Sequence, residues 1–178
     1  MQDHLNDRNP SLEKLMAIAA DAAEAGLRRG EHPGILFLAL TGSKGALLLP
    51  GLIAEAEFEP YARFVRLKCV AEEARAGVLT MEVRLPIAQP GEQPVPAVRT
   101  DNQVPQRHGV LLCGEALGGI SHNRFLPIKR DAAGSFTGFG PAESLPPGPM
   151  DDRFGRLLPT RAPSAAERQA AAKALAAM

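Results

Sequence analysis

The stretch that decides the fold runs from Gly109 to Gly140 and reads GVLLCGEALGGISHNRFLPIKRDAAGSFTGFG. Two turn signals, Gly118-Gly119 and the run DAAG at 131–134, divide it into three short segments rich in apolar residues. Short apolar segments separated by glycine-containing turns are typical of antiparallel strands joined by hairpins. The sequence therefore predicts a three-stranded antiparallel meander over this stretch.

The first hairpin of the meander also predicts which side chains are neighbours. With Gly118-Gly119 as a two-residue turn, Leu117 lies opposite Ile120, and the rest of the pairing follows by counting along both strands. This register places Glu115 opposite His122. An acidic and an imidazole side chain are therefore expected on one face of the hairpin.

The same register places Cys113 opposite Arg124, on the face that carries Glu115 and His122. A carboxylate beside an imidazole can orient the ring and raise its pKa, as general acid–base catalysis requires. A thiol next to this pair would supply a nucleophile. Glu115, His122, Arg124 and Cys113 are therefore the candidate catalytic residues of this chain.

These four residues have two interpretations. One is the active site of a small hydrolase or transferase. The other is a solvated polar face near the end of a hairpin, where opposite charges pair for fractions of a kcal/mol. The second is favoured, and it predicts a non-catalytic binding or regulatory protein that acts through protein–protein or small-ligand contact. A slip of one residue in the register would scatter the group.

The first fifty residues predict a helix and a hairpin. Apolar residues recur at helical spacing from Pro10 onward, and Gly30 is a natural stop. The continuous apolar run at 34–40 indicates a strand covered on both faces. The run at 46–50 returns beside it as the outer strand of a hairpin, with Pro50 at its end.

The middle of the chain predicts a second helix and a single strand. The helix is expected to start near Pro60 and to run to about Arg75. Gly77, two residues later, is expected to break it. The segment from Val78 to Leu85 then alternates apolar and polar side chains, as a half-buried strand does.

The order of elements indicates an α+β protein. Antiparallel strands with segregated helices, and no repeated βαβ unit, favour this class. We expect an antiparallel sheet of about six strands, made of a hairpin, a single strand and the meander, with two main helices on one face. A capping box, Ser164 to Glu167, opens a C-terminal Ala-rich helix.

The domain organisation follows from composition. Residues 1–9 are predicted to be a flexible N-terminal tail, residues 10–160 a single α+β domain, and residues 161–178 the C-terminal helix. Five prolines lie among polar residues in the segment 86–107, which predicts a Pro-rich loop. A connection of this length is long for a compact domain, and such loops often contact a partner.

Charge and hydropathy exclude several classes of protein. Lys+Arg and Asp+Glu both number 20, so the chain lacks the basic excess that nucleic-acid binding and membrane-surface attraction need. The polar start MQDHLNDRNP is unlike a signal peptide, and no apolar run approaches the ~20 residues that span a bilayer. We therefore expect a cytoplasmic protein, and abundant Ala, Arg and Pro suggest a bacterial source.

Cysteine and histidine usage gives no cofactor site. Cys69 and Cys113 are expected to be free, buried thiols, because a disulfide framework needs more cysteines in a shorter chain. No metal-ligand motif occurs, so neither a metal nor a cofactor is predicted. A site built from distant segments would draw on His122, Glu115 and Glu82.

Self-association is the partner expected from the sequence. Homodimers are the commonest oligomers of such proteins. The C-terminal helix offers a face that is mostly alanine, which packs weakly unless another chain covers it. The Pro-rich loop and this helix are therefore the two candidate contacts with a second copy.

Overall fold

The computed structural model describes residues 10–32, 34–42, 45–51, 58–86, 106–148 and 155–178. The predicted N-terminal tail and nearly all of the predicted Pro-rich loop lie outside these residues. The described residues form three helices and a curled antiparallel sheet, so the α+β class is confirmed. In chain order the elements are α1 (Pro10–Arg28), β1 (Ile35–Thr41), β2 (Gly45–Gly51), α2 (Phe58–Ala71), β3 (Ala74–Pro86), β4 (Gln106–Ala116), β5 (Ser121–Arg130), β6 (Phe136–Phe139), β7 (Glu143–Leu145) and α3 (Ala165–Ala176).

The strands are ordered β2-β1-β3-β4-β5-β6, and each neighbouring pair is antiparallel. The predicted hairpin, with its first strand inside the sheet, and the predicted meander are both present. The strand β7 pairs with β5 at 123–125, while β6 pairs with β5 at 128–130. Both lie antiparallel to β5, so together they cover it as one interrupted strand.

The helix α1 packs on one face of the sheet through the apolar side chains that its sequence spacing predicted. Its buried residues meet side chains of β1, β3 and β4 that point to the same face. The helix side of this core consists of Leu12, Leu15, Met16, Ala19, Ala23 and Leu27, and the sheet side includes Leu38, Val78, Val110 and Leu112.

The helix α2 packs on the opposite face, so the expectation of two main helices on one face is wrong. Ala62, Val65 and Cys69 of α2 belong to a second core that contains Phe37 and Leu79. Successive strand residues point to opposite faces, and β1 is apolar at nearly every position. Both sets of its side chains need cover, and one helix on each face provides it.

The second helix ends earlier than its sequence predicts. It stops at Ala71, Glu73 takes a left-handed conformation with φ of 53°, and β3 begins at Ala74. Gly77 therefore lies inside a strand and does not break a helix. A Cβ there would approach Phe37 Cζ to 2.5 Å and Leu158 Cδ1 to 2.8 Å. The glycine makes room for side chains that pack across the sheet.

The segment after residue 154 closes the second core. Leu157 and Leu158 are each 3% exposed and pack in the core beneath α2, in a part of the chain that belongs to no helix or strand. The capping box of α3 is present, because Ser164 and Glu167 exchange both hydrogen bonds. The helix α3 lies against α2 with Ala171 buried, so it packs within its own chain. No helix in the described parts of the chain is long and apolar enough to cross a membrane.

Candidate functional site

The hairpin between β4 and β5 has a different register from the predicted one. The N–H of Ala116 donates to the carbonyl of Ile120 at 3.0 Å, and Leu117–Gly119 forms a three-residue turn. Gly118 and Gly119 both have φ of 84°, a conformation that glycine adopts at little cost. The predicted pairing of Leu117 with Ile120 is therefore wrong by one residue, because two adjacent glycines also allow the longer turn.

This shift separates the four candidate catalytic residues. Glu115 lies opposite Ser121, and His122 lies opposite Gly114. Since a slip of one residue moves every side chain of a strand to the other face, His122 and Arg124 point to the α1 face. Glu115 and Cys113 point to the α2 face. The structure brings together two pairs on opposite sides of the sheet and not one group of four.

On the α1 face, His122 and Arg124 share the carboxylate of Glu13. The His122 Nδ1 lies 3.1 Å from Glu13 Oε1, and Arg124 Nη2 donates to Glu13 Oε2 at 2.5 Å. The three side chains are each about one-third exposed, at 32%, 36% and 28% for His122, Arg124 and Glu13. They tie the first turn of α1 to β5 at the rim of the core.

The environment of Glu13 favours its ionised form. Partial burial raises the pKa of Glu13, but the hydrogen bonds and charges of Arg124 and His122 outweigh it and lower the pKa below its ordinary value. Sequence reasoning missed this residue. The available signal was its place in the first helical turn, directly after Leu12, which is fully buried.

On the α2 face, the carboxylate of Glu115 is surrounded by the main chain. Its Oε2 accepts hydrogen bonds from the amides of Leu157 at 3.1 Å and Leu158 at 2.9 Å. Arg156, beside them, donates from Nη2 to the carbonyl of Ala116 at 3.0 Å. Glu115 and its neighbours thus attach the segment 155–158 to the end of β4.

Burial dominates the protonation of Glu115. It raises the pKa of this carboxyl above its ordinary value, although the amides of Leu157 and Leu158 and the charges of Arg156 and Arg66 oppose the shift. The nearby thiol of Cys69 is fully buried, and burial, with a smaller effect of Glu115, raises the pKa of Cys69 to about 12. A thiol with so high a pKa stays protonated at neutral pH and is a poor nucleophile.

The two cysteines are not joined by a disulfide, and the expectation that both are buried is right for Cys69 and wrong for Cys113. Cys69 is buried, whereas Cys113 is only half-buried and lies opposite Asn123. The amide nitrogen of Asn123 donates to the carbonyls of Pro146 at 2.7 Å and Gly148 at 2.8 Å. On the α2 face, Cys113 is therefore near the loop that Asn123 holds through Pro146 and Gly148. His122 lies on the other face of the sheet.

A third polar cluster forms at the other end of α1. Glu82 is 16% exposed, with His108 Nε2 at 2.5 Å from Oε1 and His32 Nδ1 at 3.2 Å from Oε2. The hypothetical metal donors Glu82, His122 and Glu115 are thus in three separate places. Among the described residues, no group of three or more His, Cys, Asp or Glu side chains has the arrangement of a metal site.

Comparison with known proteins adds no functional information. The chain matches no family model, and no curated protein or solved structure is detectably similar to it.

Proposed function

We propose that this protein is a non-catalytic binding or regulatory protein that acts through protein–protein or small-ligand contact. The observation that carries the proposal is the use of the candidate residues within the chain. Glu115 accepts hydrogen bonds from two main-chain amides, and His122 and Arg124 both engage Glu13. These contacts join elements of the fold to each other, which is the role of structural polar groups.

The geometry disfavours the alternative of a small hydrolase or transferase. A general base must lie within hydrogen-bond reach of the group that it deprotonates. The thiol of Cys113 and the imidazole of His122 lie on opposite faces of the sheet, so this base cannot activate this nucleophile. No observation within the described residues favours the alternative over the binding role.

We further propose that the protein is bacterial and cytoplasmic and that it associates with itself. Cys69 and Cys113 are not joined by a disulfide, which supports a reducing compartment. The Ala-rich helix α3 lies against α2 of its own chain and buries Ala171 there, while most of its other residues are exposed. Its outer face remains one of the surfaces that a second copy could use.

The test of the non-catalytic role is an activity screen with matched variants. Wild type, Cys113→Ser and His122→Ala are incubated with p-nitrophenyl acetate and p-nitrophenyl phosphate, and circular dichroism verifies that each variant is folded. We expect the same slow release of p-nitrophenol in all three and in buffer. Release above buffer that is lost in a folded variant would overturn the proposal.

A further inference from the structure

Among the strands that the structure describes, β2 is at an edge of the sheet. It pairs with β1 over its whole length, from Ile35 opposite Gly51 to Thr41 opposite Gly45. No strand in the described part of the chain pairs with its other side. An edge strand presents a row of main-chain N–H and C=O groups that can pair with another strand.

The sequence of β2 does not protect this edge. Natural proteins protect exposed edges with charged side chains, bulges or proline. The strand reads GALLLPG and contains no charged residue. Its register with β1 is regular, and its proline, Pro50, lies next to the end, so the centre of the strand has none of these devices.

The centre of β2 carries exposed apolar surface. Leu48 is 57% exposed, although Leu49, the next residue, is only 9% exposed and belongs to the core beneath α2. Tyr61 of α2 donates from its hydroxyl to the carbonyl of Leu49 at 2.8 Å, which holds the strand to the helix. Leu48 therefore sits on a fixed strand, equally far from Gly45 and Gly51.

The opposite edge of the sheet is neither continuous nor uncharged. It consists of two short pieces, β6 with four residues and β7 with three, whose pairing with β5 is interrupted. It also carries a charge, because Glu143 of β7 accepts a hydrogen bond from Arg107 at 2.5 Å. An interrupted, charged edge resists the addition of another strand, so β2 is the more suitable edge for strand addition.

We propose that β2 pairs with β2 of a second copy of this chain, antiparallel, about a two-fold axis that passes through Leu48. The inference rests on the proposed role in protein contact and names the partner. In this register Leu48 lies opposite Leu48 of the partner subunit on the same face, and Leu47 lies opposite Leu49 of the partner subunit. The two sheets then continue as one.

A second copy fits this edge better than an unrelated strand for two reasons. An isologous contact requires a surface that complements itself, and an uncharged strand meets no like charge in its own copy. The exposed leucine also lies at the centre of the strand, so the two-fold axis brings the two exposed side chains into contact. Their mutual burial removes apolar surface from water on both copies.

Disulfide trapping tests the register. Leu48→Cys places two thiols directly opposite each other, within the range of a disulfide. The matched control is Ala46→Cys, which is exposed on the same strand face but lies four residues, roughly 13 Å, from its own counterpart in this register. We expect a covalent dimer of Leu48→Cys on mild oxidation and little from Ala46→Cys or wild type. Equal trapping of both variants, or of neither, would overturn the register.

Sedimentation equilibrium tests the contact itself. We expect wild type to dimerise and Leu48→Lys to raise the dimer Kd by about tenfold or more, because two ammonium groups would face each other. Leu48 is exposed, so the variant should fold, which circular dichroism verifies. The proposal is contradicted if wild type is monomeric or if its dimerisation is insensitive to this substitution. It is also contradicted if β2 pairs only with a foreign polypeptide. The activity screen is independent of these outcomes.

Discussion

The two faces of the sheet use the same kinds of polar residue in different ways. On the α1 face, Glu13 meets His122 and Arg124 at the rim, where all three side chains keep about one-third of their surface in water. On the α2 face, Glu115 is more deeply buried, and main-chain amides satisfy it. The comparison teaches that depth of burial decides the role of a carboxylate. Glu13 at the rim forms ion pairs that salt can screen, whereas the more deeply buried Glu115 fixes the position of a main-chain segment through hydrogen bonds.

The largest expected effect comes from removing the more deeply buried of the two carboxylates, that of Glu115. Glu115→Ala leaves the amides of Leu157 and Leu158, two residues that are each 3% exposed, without their acceptor. We expect a loss of about 2–4 kcal/mol in the free energy of unfolding, from the cost of unsatisfied buried donors. Urea denaturation measures it.

The matched control for this experiment is Glu13→Ala, which removes a carboxylate of the other face. Because its pairs are partly exposed, we expect a loss of only about 0.5–1 kcal/mol. Equal losses for the two variants would show that depth is not what distinguishes the two faces.

A second prediction concerns the pH dependence of stability on the α2 face. The pKa of Glu115 is raised in the folded protein, so the folded state holds this proton more tightly than the unfolded state. Its contribution is largest below the ordinary carboxyl pKa and is lost as pH rises through the raised value. Glu115→Gln removes this titration.

The measurement is the difference in unfolding free energy between wild type and Glu115→Gln across mildly acidic pH. We expect the stability of wild type relative to the variant to fall as pH rises. A difference that stays constant with pH would contradict the burial of the ionised group.

The smallest effect is expected on the α1 face, with the opposite sign. The pKa of Glu13 is lowered, so its contribution is present above the ordinary carboxyl pKa and is lost as pH falls through the lowered value. Glu13→Gln should therefore cost about 0.5 kcal/mol near neutral pH and nothing in acid. Thermal unfolding at both pH values, at low and high salt, tests this, and added salt should diminish the neutral-pH cost. A cost that persists in acid would point to packing and not to charge.

The packing of the helices on the two faces of the sheet was only partly predictable from the sequence. The continuous apolar run of β1 already indicated cover on both sides, and the structure supplies α1 and α2 there. Local pattern does not state which helix covers which face. That choice depends on how the chain crosses the sheet, and contacts such as Phe37 and Leu158 in the space beside Gly77 join residues far apart in sequence.

The candidate site was less predictable than the fold, because it depended on a single turn. Glycine tolerates positive φ at both positions, so Gly118-Gly119 suits a two-residue and a three-residue connection equally well. The observed turn is held by the amide of Gly118, which donates to the carbonyl of Thr160 at 2.9 Å. No local pattern in the hairpin contains that contact.

The sequence by itself determined the α+β class, the helix α1, the hairpin with β1 inside, the meander and the capping box of α3. These features rest on periodicity and on turn and cap residues, which act over a few neighbouring positions. Only the tertiary structure decided the register of β5, and with it the separation of His122 from Glu115. Side-chain direction in a strand reverses with every residue, so packing between distant segments had to choose between two registers that the local sequence allows equally.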